Sequence, residues 1–238
     1  DYGGVAVADL DEDGHQDVVF AVHFKGQIAL RGNGEGLFLS GGVLPSPDRR
    51  LSSRAVTAAD FDGDGHVDLG FASEIDYDLT SNAKVDDAKT TWVLFNRGDQ
   101  WEVSTEGLPT NIIADVIRAA DFDGDGRPEL VMSSNTLGPR MLVYSWRGED
   151  GWQPAEHKGV LSSAYHYNVE PNSDGIIAAF LQFHRYNGMT QARNGLIRYP
   201  VSFEGEFEKP KPLLFDAERG DVFFRLGIGD LDGDGRTD

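Results

Sequence analysis

Four short stretches of the sequence place carboxylates at the same alternating positions. They are residues 9–17 (DLDEDGHQD), 60–68 (DFDGDGHVD), 121–129 (DFDGDGRPE) and 230–238 (DLDGDGRTD). Each has acids at positions 1, 3, 5 and 9, and a glycine at position 6, where it permits a sharp turn. Carboxylates at positions 1, 3 and 5 of a tight loop point to the same side, and the carbonyl oxygen of position 7 can join them. The chemistry that this pattern predicts is coordination of a cation through oxygen atoms alone.

Calcium suits such a loop better than other cations. Without a cation, the crowded carboxylates would repel each other and either take up protons or push the loop open. Ca²⁺ accepts 6–8 oxygens at about 2.3–2.6 Å with tolerant geometry, whereas Mg²⁺ gives up its waters reluctantly. An acidic surface turn would explain one copy of the motif, since Asp and Gly are common in turns. Four copies with the same internal spacing indicate a metal site instead.

An EF-hand begins with the same residues but is excluded on two counts. Its twelfth position requires a bidentate Glu and its flanks are helices. Here the twelfth positions hold Phe20, Phe71 and Met132. The flanking segments read as short apolar strands, so the loops are expected to connect strands rather than helices.

Composition limits the possible partners. The 238 residues carry a formal net charge of −19, and 17 of the 40 acidic residues lie in the four stretches. A nucleic-acid partner or an anionic membrane needs a basic surface, so neither is expected. The absence of cysteine excludes disulfides and Cys-ligated metals. The longest apolar run, residues 175–183, is too short for the roughly 20 residues that span a bilayer, so no membrane insertion of this segment is expected.

The motifs recur with a period that predicts a repeat architecture. They begin at residues 9, 60, 121 and 230, and the last interval is about twice the others. A period near 50–60 residues is typical of propellers and solenoids. The double interval predicts a unit whose motif has decayed, with residues 166–180 (HYNVEPNSDGIIAAF) as its remnant. We assign no metal ligands to that remnant.

Strands flank each motif, and a hairpin follows further along each unit. The segments GVAVAD, AVTAAD and VIRAAD precede the first three motifs, while IALRGNGEGLF, TWVLFNRGDQWEV, MLVYSWRGEDGW and LIRYPVSFEGEF read as hairpins. Four strands joined up and down form a propeller blade. The sequence therefore predicts an all-β protein, part of a single β-propeller with about four blades and a partial one. The approximate units are 1–45, 46–107, 108–160, 161–216 and 217–238. We expect the native chain to start upstream and the array to continue beyond Asp238.

Stretches such as VTAADFDGDGHVDLGFAS and IRAADFDGDGRPELVMSS, each followed by a hairpin, resemble the FG-GAP/VCBS repeat family, which includes the propeller of integrin α subunits. The likeness extends over essentially the whole chain. It implies a calcium loop between the first two strands of each blade, three complete Ca²⁺ sites with a fourth at the C-terminal end, and a secreted, cell-surface or periplasmic location. The implied side-chain ligands are Asp9, Asp11, Asp13 and Asp17; Asp60, Asp62, Asp64 and Asp68; Asp121, Asp123, Asp125 and Glu129; and Asp230, Asp232, Asp234 and Asp238. The family pattern adds the carbonyl oxygens of His15, His66, Arg127 and Arg236, whose side chains are expected to matter little.

Recognition of a ligand is expected at the opposite end of the blades. Loops between second and third strands lie there, and two of them are long, residues 74–90 and 184–195. The second contains a polar and aromatic group suited to a sugar or peptide, namely His184, Arg185, Tyr186 and Arg193. The tripeptide Arg97-Gly98-Asp99 lies at a hairpin tip, where a turn-forming role explains it without adhesion.

Two functions remain open at this point. The favoured one is a non-catalytic extracellular module that binds a glycan or a protein, for adhesion or carbohydrate recognition. The alternative is a polysaccharide-active enzyme of the lyase type, in which His184 is the base and Arg185 or Arg193 stabilises the developing charge. No Ser-His-Asp order, zinc-protease motif or phosphate loop is visible in the sequence.

Overall fold

The computed structural model describes residues 3–23, 25–47, 53–73, 83, 87–134, 140–155, 166–169, 175–186, 189–202, 207–216, 228–229 and 231–233. The structural statements below concern these residues.

Within them the chain forms four antiparallel sheets of four strands each. The first sheet contains β1 (Gly3–Ala8), β2 (Asp17–Val22), β3 (Gly26–Gly32) and β4 (Phe38–Val43), and the second contains β5 (Ala55–Ala59), β6 (Asp68–Ala72), β7 (Thr91–Asn96) and β8 (Trp101–Ser104). The third contains β9 (Ile117–Ala120), β10 (Glu129–Ser134), β11 (Arg140–Trp146) and β12 (Trp152–Pro154), with a short 3₁₀ helix at Gly148–Asp150. The fourth contains β13 (His166–Val169), β14 (Gly175–Tyr186), β15 (Met189–Pro200) and β16 (Lys211–Asp216).

In every sheet the strands lie in the order of the sequence, so each strand pairs with the next one along the chain. Acidic and glycine-rich turns supply the connections between the first and second strands of the first three sheets, whereas residues 73–90 separate β6 from β7. The all-β prediction is confirmed. The predicted strands before and after the first three motifs are present, and so are the first three predicted hairpins, whereas residues 203–206 of the fourth lie outside the described residues. In the fourth hairpin, β16 pairs with β15 beyond an isolated bridge between Val201 and Phe207.

The sheets pack face to face in sequence order. Between the first and second sheets lie Val19 and Leu94, together with Phe71 and Trp92, whose rings stack 5.4 Å apart. The second and third sheets enclose a cluster that includes the edge-to-face pair Phe61 and Trp152. A third cluster joins the third sheet to the fourth. The first strands also contact one another in turn, β1 with β5, β5 with β9 and β9 with β13.

The burial of each strand follows from this stacking. All residues of β6 and β7 are buried, because the second sheet is covered on both faces. In β2 and β3 burial alternates with partial or full exposure, because the described residues cover the first sheet on one face only. Its other face presents a cross-strand row of Val5, Phe20, Ile28 and Val43, whose exposed fractions run from 38% to 84%.

One expectation about loops is wrong. Residues 184–186 and 189–195 do not form a loop, because they belong to β14 and β15, which pair from Gly175 and Pro200 to Tyr186 and Met189, while residues 187–188 lie outside the described residues. The sequence LQFHRYNGMTQARNGLI has enough β-branched and aromatic residues on either side of Asn187-Gly188 to extend the hairpin up to that turn dipeptide. In the described part of the chain, no helix is both long enough and apolar enough to cross a membrane.

Candidate metal centre

Three of the four acidic stretches lie in corresponding places. Residues 9–16 connect β1 to β2, residues 60–67 connect β5 to β6, and residues 121–128 connect β9 to β10. We call these loop 1, loop 2 and loop 3. The ninth residue of each motif is the first residue of the second strand. The strands therefore hold both ends of every loop at the same end of successive sheets.

The turn in each loop depends on two residues with positive φ. Position 6 is a glycine in all three loops, with φ between 85° and 92°. Position 4 also has positive φ and is Gly63 in loop 2 and Gly124 in loop 3, whereas loop 1 holds Glu12 there at φ 60°. A non-glycine residue in this region is strained by about 1 kcal/mol or more. Sequence reasoning identified the role of position 6 and missed that of position 4.

Backbone N–H groups inside the loops orient the carboxylates. In loop 2 the N–H of Gly65 donates to Asp60 Oδ2 (2.9 Å) and that of Gly63 to Asp60 Oδ1 (2.8 Å). The N–H of His66 donates to Asp64 Oδ1 at 2.9 Å. Loop 3 repeats these three bonds at equivalent positions. Each carboxylate oxygen retains a second lone pair, so these bonds leave room for a cation.

Each loop brings three acids together. The groups are Asp9, Asp11 and Asp13 in loop 1, Asp60, Asp62 and Asp68 in loop 2, and Asp121, Asp123 and Glu129 in loop 3. Within each group, one oxygen from each residue lies within 4.8 Å of the others. Oxygens that ligate one Ca²⁺ at about 2.3–2.6 Å lie at most roughly 5.2 Å apart. The spacing and the all-oxygen chemistry therefore fit a calcium ion in each loop.

The acid at position 9 also holds the loop to its sheet. Asp68 is fully buried, and its Oδ2 accepts the N–H of Phe61 (2.9 Å) while its Oδ1 accepts the N–H of Asn96 at the end of β7 (2.8 Å). In loop 1, Asp17 accepts the N–H of Leu10 (3.0 Å) and of Gly32 (2.8 Å). This residue thus joins the loop to the second and third strands of its sheet.

Glu129 takes the same place in loop 3. Its Oε2 accepts the N–H of Phe122 at 2.8 Å, and its Oε1 accepts the hydroxyl of Ser145 at 3.3 Å on β11. The longer side chain still brings one oxygen into the group with Asp121 and Asp123.

Burial changes the acidity of these anchors. Removal from water raises the pKa of the Asp68 carboxyl to about 7, with Asp62 and Asp64 acting in the same direction against the two N–H donors. Burial likewise raises the pKa of Glu129 to about 7. A nearby divalent cation would favour the ionised form of both groups.

One predicted ligand of each loop lies outside its three-acid group and pairs with an arginine. Asp17 Oδ2 lies 3.1 Å from Arg31 Nη1, and Asp64 Oδ2 lies 2.7 Å from Arg97 Nη1. Asp125 Oδ2 lies 2.9 Å from Arg127 Nη2. In each of the three loops, the structure therefore brings together three of the four predicted side-chain ligands. The fourth pairs with an arginine side chain.

The expectation that position 7 side chains matter little needs correction. The ring of His66 contacts the carboxylate of Glu12 in the neighbouring loop 1, and this contact raises the pKa of His66. His15 contacts the hairpin turn of its own sheet, where a Cβ added to Gly34 would lie 2.5 Å from the ring. These two side chains join loops 2 and 1 to their surroundings, which sequence spacing alone could not indicate.

Other predicted residues have different outcomes. Of the residues predicted to ligate calcium in the fourth motif, only Asp232 is described, on an exposed bend, while Asp230, Asp234, Arg236 and Asp238 lie outside the described residues. In the decayed unit, Asn168 lies within β13, and its Oδ1 accepts the Nε–H of Arg118 at 3.1 Å. Most of the predicted insertion 74–90 also lies outside the described residues.

The four residues predicted for ligand recognition belong to one hairpin, and no two of them pair with each other. His184 lies opposite Gln191, Arg185 opposite Thr190, Tyr186 opposite Met189 and Arg193 opposite Gln182.

A family model described as the FG-GAP-like repeat matches residues 9–71. The matched stretch contains loops 1 and 2, begins at the first acid of loop 1 and ends within β6. The resemblance inferred from the motifs is confirmed over these residues. No curated protein matches the chain.

Proposed function

We propose that this chain is part of a calcium-binding β-propeller that serves as a non-catalytic recognition module of a secreted, cell-surface or periplasmic protein. The observation that carries the proposal is the recurrence of a group of three acids at the same place in three successive sheets, with motif positions 1 and 3 in all three groups. A chance cluster of acids would not repeat with the same turn geometry and the same buried anchor. The match to the FG-GAP-like repeat supports it further.

The propeller arrangement is supported by how the sheets pack. In a propeller the first strands of successive blades are neighbours around the axis, and β1, β5, β9 and β13 contact one another in that order. The twelfth motif position is Phe71 in the second sheet and Met132 in the third, where each is fully buried against the preceding sheet. The equivalent Phe20 is 39% exposed. The outer face of the first sheet thus has the apolar character of a face that packs on another blade.

Calcium removal tests the proposal through stability. Extracellular calcium modules have dissociation constants of about 10⁻⁴–10⁻³ M, so each site contributes about 0.4–1.4 kcal/mol at millimolar calcium. Three sites would contribute about 1–4 kcal/mol, which shifts the melting midpoint of a domain of this size by several degrees. We expect thermal unfolding to move upward on addition of calcium and downward on addition of chelator.

Magnesium at the same concentration and the double variant Asp62→Ala/Asp123→Ala are the controls. Magnesium should produce a smaller shift, because it resists dehydration. The variant should lose part of the calcium-dependent shift. An unchanged melting curve in calcium and in chelator would contradict the proposal.

For recognition, the supporting observation is an extension of the fourth sheet. Among the described residues, the pairing of β13 with β14 reaches Ala179 and that of β16 with β15 reaches Asn194. Beyond these points, residues 182–186 continue to pair with residues 189–193 over roughly 16 Å, and we call this part of the hairpin the ribbon. Its tip connects second to third strands, at the end of the sheet opposite to the metal loops. A glycan or protein would bind there.

The ribbon is tested by replacing Tyr186 and Arg193 together with Ala. Binding on a glycan array or to cells should be lost, and thermal unfolding in calcium should show that the variant is still folded. Asp99→Ala is the control, because Asp99 lies in a hairpin turn at the metal end of the second sheet. Loss of binding with Asp99→Ala and retention with the double variant would show that the ligand binds at the metal end of the sheets and not at the ribbon.

The lyase alternative has its own test. Incubation with uronic-acid polysaccharides would generate unsaturated products that absorb in the ultraviolet if the chain were an enzyme of this type. Turnover by wild type that disappears in His184→Ala would show that the chain is an enzyme rather than a non-catalytic recognition module.

A further inference from the structure

The turns between third and fourth strands share a dipeptide that the metal proposal does not use. Arg31-Gly32, Arg97-Gly98 and Arg147-Gly148 lie at or just after the ends of β3, β7 and β11. Third-to-fourth turns and first-to-second loops lie at the same end of an up-and-down sheet. Each arginine is therefore placed beside the acidic loop of its own sheet.

Arg97 is held firmly against loop 2. Its Nη1 lies 2.6 Å from Asp62 Oδ2 and 2.7 Å from Asp64 Oδ2. Its Nε donates to Glu102 Oε2 at 3.0 Å, and the guanidinium lies 4.8 Å above the centre of the Phe95 ring. Two of these contacts use acids that belong to the predicted calcium ligands, and the other two hold the arginine from its own hairpin.

The same contact occurs in loop 1 and is weaker in loop 3. Arg31 Nη1 lies 2.8 Å from Asp11 Oδ2 and 3.1 Å from Asp17 Oδ2. In contrast, Arg147 Nη1 lies 3.9 Å from Asp125 Oδ2, at the limit of an ion pair. The three sheets thus form a graded series within one chain.

We infer that the arginine of the Arg-Gly turn is an internal counter-cation of the acidic loop, and that calcium must displace it to bind fully. The inference rests on the proposed calcium function. A guanidinium and Ca²⁺ that share the same carboxylates lie close enough to repel each other. Arginine cannot relieve this repulsion by losing its proton, so it must move. Glu102 and Phe95 offer it partners that it can keep after leaving Asp62 and Asp64.

Two consequences distinguish this role from a purely structural ion pair. In the metal-free protein, Arg97 lowers the repulsion between Asp62 and Asp64, so its loss should destabilise the chain. In the calcium-bound protein the same arginine opposes the ion, so its loss should tighten binding. Loop 3 should depend less on Arg147, because that contact is longer.

The test compares Arg97→Gln with wild type by calorimetric titration with CaCl₂ and by thermal unfolding in chelator. The substitution removes the charge and keeps methylene groups against Phe95. We expect loop 2 to bind calcium about threefold to tenfold more tightly, since exposed ion pairs of this kind each contribute a factor of roughly one to five. In chelator the melting midpoint should fall by about 1–4 °C.

Two matched variants control for other effects. Glu102→Gln removes the outer partner of Arg97 but leaves its contacts with loop 2, and Arg147→Gln removes the weakly placed arginine. Neither should tighten calcium binding as Arg97→Gln does. Equal or weaker calcium binding in Arg97→Gln, with binding intact in wild type, would overturn the inference. Absence of calcium binding in wild type would instead contradict the proposed function.

Discussion

At the scale of single residues, the acid at position 9 has two tasks. Asp68 closes its loop through the N–H groups of Phe61 and Asn96, and one of its oxygens also belongs to the group that would hold calcium. Such a residue must be buried to be an anchor and ionised to be a ligand. Burial opposes ionisation, and the raised pKa of about 7 is the result.

This conflict predicts an unusual dependence of stability on pH. The pKa of Asp68 is about 7 in the folded chain, against 3.8 for the ordinary value. The folded protein therefore binds more protons than the unfolded chain between these values, and the stabilisation from this group is lost as pH rises through about 7. In chelator, we expect the free energy of unfolding to decrease between about pH 5 and pH 8 on account of this residue.

Urea unfolding of wild type and Asp68→Asn at several pH values measures this contribution. His66 changes stability in the same direction in both proteins, since Glu12 raises its pKa. Asp68 adds a smaller part of that rise, so the difference between the two curves reports Asp68 together with its effect on His66. Saturating calcium should remove the effect, because a bound ion requires the ionised carboxylate. Parallel curves in chelator would show that Asp68 keeps an ordinary pKa.

At the scale of structural elements, loops 1 and 2 are joined by a buried amide. Asn96, the last residue of β7, donates from Nδ2 to the carbonyl oxygen of Leu10 in loop 1 at 2.8 Å and to that of Val67 at 3.4 Å. Its backbone N–H bonds to Asp68. One residue therefore connects two sheets and two candidate metal sites.

Asn96→Ala should be clearly destabilising. It leaves the carbonyl oxygen of Leu10 buried without this partner, and an unsatisfied buried group costs about 1–3 kcal/mol. The control is Asn33→Ala, where the lost bonds to Glu35 and Leu37 lie in an exposed turn and water can replace them, so the loss should stay below about 1 kcal/mol. Chemical denaturation of both variants in calcium decides the matter. Similar losses in the free energy of unfolding for the two variants would show that the hydrogen bond from Asn96 to Leu10 does not stabilise the contact between the sheets.

At the scale of the whole molecule, stability depends on sheets covering each other. Phe71 and Phe20 occupy the same motif position in the second and first sheets, yet Phe71 is fully buried and Phe20 is 39% exposed. Deleting a buried phenylalanine side chain costs about 3–5 kcal/mol, because it leaves a cavity as well as losing apolar burial.

We therefore expect Phe71→Ala to cost about 3–5 kcal/mol and Phe20→Ala less than about 1 kcal/mol. Equilibrium unfolding in calcium measures both. An equally large loss for Phe20→Ala would show that the outer face of the first sheet is covered in solution.

The sequence predicted features that depend on local residue patterns. Apolar runs around repeated acidic turns were enough to predict the strands of the first three sheets and the position of the loops. The role of Asn96 could not be predicted, because its partner Leu10 is 86 residues away and only the stacking of sheets brings them together. The ribbon was predicted to be a loop, because polar residues such as His184 and Arg193 made the segment look unlike the apolar strands of the other sheets.

The role of the Arg-Gly dipeptide could be predicted only in part. Its repetition at hairpin tips is visible in the sequence, and so its turn-forming role was predicted. That the arginines pair with calcium ligands required the distances between separate turns of one sheet. This pairing also means that Arg97 of the Arg97-Gly98-Asp99 tripeptide contacts the acidic loop of its own sheet.

The central claim is that the acidic loops bind calcium, and calorimetric titration of the calcium-stripped chain with CaCl₂ tests it most directly. We predict at least three binding events with dissociation constants of about 10⁻⁴–10⁻³ M. The variant Asp60→Ala/Asp62→Ala should lose one of them, and a second pair, Asp121→Ala/Asp123→Ala, should lose another. A titration with no binding heat at any calcium concentration up to about 10 mM, well above the expected dissociation constants, or one in which these variants match wild type, would contradict the account.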